Sequence, residues 1–140
     1  MSKRVYGHRW KVKPIADPIS AKWNIRVPGP DMMGLVNGFG PRSMDDKWMC
    51  RTKGPDEQGY IVVQICRSWS DQEIVALKGR VFVQGSNIEE KDIEKEGGEI
   101  LEITWDCKCT YGEEEPMSEE DAKNMAIGFA KNLLSCNLDR

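Results

Sequence analysis

Leu101, Ile103, Trp105, Cys107 and Cys109 alternate with Glu102, Thr104, Asp106 and Lys108. A strict period of two places one set on a buried face and the other in water, so the pattern predicts a half-buried β-strand that starts at Gly97-Gly98. Two further strands, 47–52 and 60–69, flank the turn-rich stretch Gly54-Pro55-Asp56-Glu57-Gln58-Gly59 and read as an antiparallel hairpin with a longer loop. In the second of these, Ile61, Val63, Ile65, Arg67 and Trp69 share one face and Tyr60, Val62, Gln64, Cys66 and Ser68 the other. Both faces are largely apolar, which predicts a strand inside the sheet. A fourth strand is expected over 74–84, with Gly79 at mid-strand marking a bulge or bend.

Towards the C-terminus the period changes to that of a helix. Ala122, Met125, Ala126, Phe129, Ala130, Leu133 and Leu134 form one apolar stripe, and Ser118 with Asp121 three residues on makes a variant capping box at its start. A helix over 117–136 follows, and its stripe needs a sheet to cover. Residues 87–96 carry only Ile88 and Ile93 as apolar positions and read as a solvated loop or a weak helical turn. Residues 1–43 hold Pro14, Pro18, Pro28, Pro30 and Pro41 with several glycines, so they are expected to be an irregular arm with one short strand over 23–27. Trp10, Trp23, Leu35, Val36 and Phe39 indicate that this arm packs onto the sheet. The expected fold is a single α+β domain over 1–140: the arm (1–43), an antiparallel β-sheet in meander order (44–112), and a C-terminal amphipathic helix packed on one face.

Composition narrows the setting. A chain of 140 residues with 20 Lys and Arg, 23 Asp and Glu and a net charge of −3 can bury a core unaided, and its acidic balance disfavours nucleic acid as the main partner. The run Lys3, Arg4, Arg9, Lys11 and Lys13 is a local, short exception. No window reaches the roughly 18 apolar residues of a membrane span, and no secretory leader follows Met1. Five cysteines, an odd number without framework spacing, read as reduced core thiols. The expected location is cytoplasmic.

The most distinctive run is Ser43-Met44-Asp45-Asp46-Lys47-Trp48, answered across the hairpin by Arg67-Ser68-Trp69. If the two strands pair, Asp45, Asp46, Lys47, Trp48, Arg67 and Trp69 gather at one end of the sheet. Arg67 then suits a phosphate or carboxylate, either indole can stack on a ring, and either aspartate can accept hydroxyl hydrogens or act as a base. A salt-bridge network with tryptophan corners explains the same residues without a ligand. The pattern resembles one found in a family of small bacterial and fungal proteins, over roughly residues 44–78, a quarter of the chain. That resemblance implies a shared hairpin and a link to ADP-ribose- or NAD-related proteins. It brings no catalytic assignment, and Ser70-Asp71 stands here where the pattern has Thr-Gly after the second tryptophan.

Other signals are weaker. Cys107 and Cys109 share a strand face, but a zinc site needs two more ligands from Cys50, Cys66 or His8, and alternation already accounts for the pair as core. A cysteine or serine nucleophile would depend on His8, the single histidine. The glycine-rich stretch 29–40 lacks Rossmann or P-loop spacing and reads as a flexible loop. The expected function is a small soluble binding domain for an anionic or aromatic small ligand, nucleotide or ADP-ribose related, with no cofactor and no metal. The alternatives are a metal-independent hydrolase or isomerase using Asp45 or Asp46 with Arg67, and a protein-interaction or homodimerisation domain.

Overall fold

A computed structural model describes residues 4–7, 10–40, 47–68, 70–106, 117–134 and 136–138. In chain order its elements are β1 (Pro18–Val27), α1 (Gly29–Asn37), β2 (Trp48–Lys53), β3 (Tyr60–Arg67), β4 (Glu73–Val81), α2 (Glu90–Glu96), β5 (Gly98–Asp106) and α3 (Glu119–Leu133). The strands form one sheet in the order β1-β5-β4-β3-β2, every pairing antiparallel. Strands β2 to β5 are the expected meander, and β1 joins beyond β5.

The register fixes the two faces. Directly opposed residues share a face, so Cys50, Ile65, Val75 and Trp105 form one buried row and Thr52, Val63, Leu77, Ile103 and Ala21 the next. Helices α1 and α3 lie over this face. Thr52 Oγ1 donates to the Leu35 carbonyl of α1 at 2.6 Å, and the Trp48 ring meets Phe129 of α3 edge-on with centroids 5.9 Å apart. At the entry to α3, Trp105 Nε1 donates to the Met117 carbonyl at 3.0 Å. Helix α2 packs against α1 and buries Ile93.

Ser118 caps α3 as its sequence predicts: its hydroxyl accepts from the Asp121 amide at 3.1 Å, and Asp121 accepts from the Ser118 amide in return. Ser118→Ala removes one partner of this box and is expected to cost about 1 kcal/mol. Urea denaturation reads the loss, and an unchanged midpoint would show the cap to be idle.

Three expectations are corrected. Within 1–43, Pro18–Val27 and Gly29–Asn37 are regular elements and not irregular arm, and β1 runs for ten residues from Pro18 instead of the short strand at 23–27. Pairing with β5 supplies the order that local composition does not. The stretch 29–40 is not a loop. Its first nine residues are α1, which tolerates Pro30 because first-turn amides have no helical partner, and stops at Gly38 with φ 72°. In β5 the alternation breaks: Ile100 is fully buried and Leu101 only half-buried, because the register shifts between Lys78 and Gly79 where β4 pairs with β5. A bulge there changes the side-chain phase by one residue. Gly79 sits at this shift, where a β-carbon would stand 2.6 Å from the Glu99 carbonyl oxygen. Within 87–96, Glu90–Glu96 forms the short α2, opened by a capping box between Glu89 and Asp92.

Candidate functional site

The sheet face opposite the helices carries the polar alternates. Their rows run Arg26-Glu99-Arg80-Tyr60, then Lys22-Glu102-Lys78-Val62-Lys53, then Ser20-Thr104-Ala76-Gln64-Arg51. Opposite charges face each other across the first two rows, with Arg80 and Glu99 3.6 Å apart, which is the cross-strand pairing that stabilises a wet face.

The third row is partly roofed by the N-terminal arm. Arg51 Nε donates to Gln64 Oε1 at 2.8 Å, and Gln64 Nε2 donates to Glu73 Oε2 at 2.7 Å. The chain of polar groups thus crosses three strands. Both its ends hold the arm: Arg51 Nη1 donates to the Gly7 carbonyl at 2.7 Å, and Glu73 Oε1 accepts from the Ile15 amide at 3.3 Å. Gln72 adds bonds from its side-chain amide to the Lys13 and Pro14 carbonyls. Gln64 and Glu73 are buried, and this linkage gives the Glu73 carboxylate a donor on each oxygen and a cation one side chain away.

Where the arm meets the end of β2 it leaves a hollow of ≈ 360 Å³, lined by Arg4, Tyr6, Arg51, Thr52, Lys53 and Gly54. Arg4 is fixed there by Nη2, which donates to the Thr52 carbonyl at 2.8 Å and the Gly54 carbonyl at 2.6 Å, and its guanidinium lies 4.6 Å from the Tyr6 ring centroid. Three cations therefore converge on one concave site, and none of its described lining residues is acidic. Nearby Asp56 is turned to its own loop, accepting from the amides of Gln58 and Tyr60 at 3.0 and 2.9 Å.

The six residues read from sequence divide. Strand pairing does bring Trp48 opposite Arg67, and the Ser68 amide donates to the Lys47 carbonyl at 3.0 Å, so Lys47, Trp48 and Arg67 share one end of the β2-β3 pair. Asp45, Asp46 and Trp69 lie outside the described residues, as do His8, Cys107 and Cys109. The Trp48 ring is engaged on two sides, by Phe129 and by the Arg67 guanidinium 5.8 Å from its centroid. The concave site lies at the other end of β2, five residues and about 16 Å away at ~3.3 Å per residue.

Cys50, Cys66 and Cys136 are free and buried. Burial, then the nearby Glu73, pushes the Cys66 thiol up to about 12, and burial followed by Asp31 does the same to Cys136. Burial drives Cys50 in the same direction. Thiols held so far above neutrality stay protonated and are poor nucleophiles. Among the described residues no three His, Cys, Asp or Glu side chains come together as a metal site, and no helix is long and apolar enough to cross a membrane.

Sequence reading missed the hollow because its halves lie far apart in the chain. The basic start is a short local run, and nothing in residues 51–54 announces a partner some 45 positions earlier. No protein-family model, curated protein or solved structure matches the chain.

Proposed function

We propose that this protein is a small binding domain for an anionic ligand, seated in the hollow between the N-terminal arm and the end of β2. The observation that carries the reading is the convergence of Arg4, Arg51 and Lys53 on a concave site with no acidic residue in its described lining. Clustered guanidinium and ammonium groups bind phosphate or carboxylate by charge-assisted hydrogen bonds, and a volume of this size is at the lower end of small-molecule sites. Two of the three cations are already oriented by bonds to protein carbonyls, so little side-chain entropy is lost when an anion arrives. Reduced buried cysteines and the acidic net charge favour a cytoplasmic protein without a nucleic-acid partner.

The strand-end group Lys47, Trp48 and Arg67 is the competing seat, and one experiment separates them. Thermal-shift and calorimetric titration with ADP-ribose, nucleotides and sugar phosphates is run on the wild type, Lys53→Glu and Arg67→Ala. A ligand at a hundred times its Kd stabilises the folded state by about 2.7 kcal/mol, an easily read shift. Lys53→Glu is expected to weaken binding at least tenfold, about 1.4 kcal/mol, while Arg67→Ala leaves it unchanged. The opposite pattern would move the site to the strand end.

A further inference from the structure

Among the described residues four large apolar side chains are exposed: Tyr6 at 51%, Ile19 at 41%, Tyr60 at 39% and Val62 at 37%. One such side chain is ordinary on any surface, but three of these four stand in the same corner of the open face. Tyr6 lines the hollow. Val62 is paired directly with Lys53, another lining residue, and Tyr60 lies two residues back on the same face of β3. Directly opposed side chains on a sheet have β-carbons about 5 Å apart, so the apolar shelf begins where the cationic hollow ends. On its far side stands Lys78, paired with Val62 from β4 and with Nζ 5.7 Å from the Tyr60 ring centroid. Lys53 and Lys78 are two strand spacings apart, about 10 Å, which leaves room between two ammonium groups for one flat ring.

We infer that the ligand is a planar aromatic group joined to an anion, the chemistry of a nucleotide or aryl phosphate, with the anion in the Arg4-Arg51-Lys53 hollow and the ring on Val62 and Tyr60. This rests on the anion-binding reading above and narrows it to one ligand class. A shelf of this kind adds affinity by burying the ring face against apolar side chains, with the flanking ammonium groups favouring an electron-rich ring. A simple anion or a sugar phosphate reaches the hollow and gains nothing from the shelf.

The test is calorimetric titration at fixed ionic strength with four probes: inorganic phosphate, glycerol 3-phosphate, phenyl phosphate and adenosine 5′-monophosphate. The two aromatic probes are expected to bind roughly tenfold more tightly than the other two, the order of one base stacked on side chains. The double variant Val62→Thr with Tyr60→Thr keeps strand-forming residues on the exposed face, so it folds. It is expected to erase the difference between probes and leave phosphate binding in place. Equal affinity for all four probes in the wild type, or a gap that survives the double variant, would overturn the inference while the anion site stands. Failure of every probe to bind would remove the anion site and this inference with it.

Discussion

Replacing Glu73 with alanine is expected to lower stability by about 2–4 kcal/mol and to release residues 4–7 and 10–15 from the sheet. Glu73 is 7% exposed and closes the chain of bonds from Arg51 through Gln64 to the Ile15 amide. Without it, a buried Gln64 amide loses its acceptor and the Arg51 guanidinium loses its counter-charge across Gln64. A buried donor left unmatched costs ~1–3 kcal/mol, and a partly buried cation left alone adds to that. Chemical denaturation gives the stability, and amide exchange over residues 4–7 and 10–15 gives the arm. Because Arg4 and Tyr6 form half of the anion hollow, the same variant is expected to weaken phosphate binding although Glu73 does not line the site. Glu73→Gln retains an acceptor oxygen and should lose about half as much. A change under 0.5 kcal/mol with the arm still protected would show the linkage to be incidental.

Gly29→Ala is expected to destabilise by about 2–3 kcal/mol, although alanine is the better helix former. Gly29 opens α1, and a β-carbon there would overlap the Glu94 carbonyl of α2. The obstacle is backbone, which cannot rotate aside as a side chain could, so the two helices must separate. Gly128 within α3 is the matched control, because a β-carbon on it meets nothing within 4 Å. Gly128→Ala should therefore follow intrinsic propensity and stabilise by up to ~1 kcal/mol. Thermal denaturation of the pair decides the matter by sign. Two substitutions that move stability in the same direction would refute the close α1-α2 approach.

The elements legible from sequence are those whose periodicity is produced by a single interface. Strand β3 is legible because Ile61, Val63 and Ile65 alternate onto the covered face while Tyr60 and Val62 stay exposed on the open one, and α3 shows both its stripe and its cap because the sheet covers one side of it. The elements that local pattern does not show take their order from elsewhere in the chain. Strand β1 extends back to Pro18 through its pairing with β5, and α1 forms in a Gly- and Pro-rich stretch because Met32, Leu35 and Val36 are buried. No local pattern reports either contact. The break in β5 belongs to the same class, since a bulge is a property of a strand pair and shifts the inward phase from Leu101 to Ile100.

For the candidate site the division is similar. The α+β class, the meander from β2 to β5, the capped C-terminal helix and the meeting of Lys47 with Arg67 are all readable in the residue order. Each of these follows from local periodicity or from a hairpin, whose turn sets the register of its strands. That Phe129 packs on the Trp48 ring, and that Arg4 and Tyr6 face Arg51 and Lys53 beside Val62, comes from contacts distant in the chain. Sequence separation explains the difference: the arm is placed by the Arg51-Gln64-Glu73 bonds across three strands, and such a linkage leaves no periodic trace in the residues it joins.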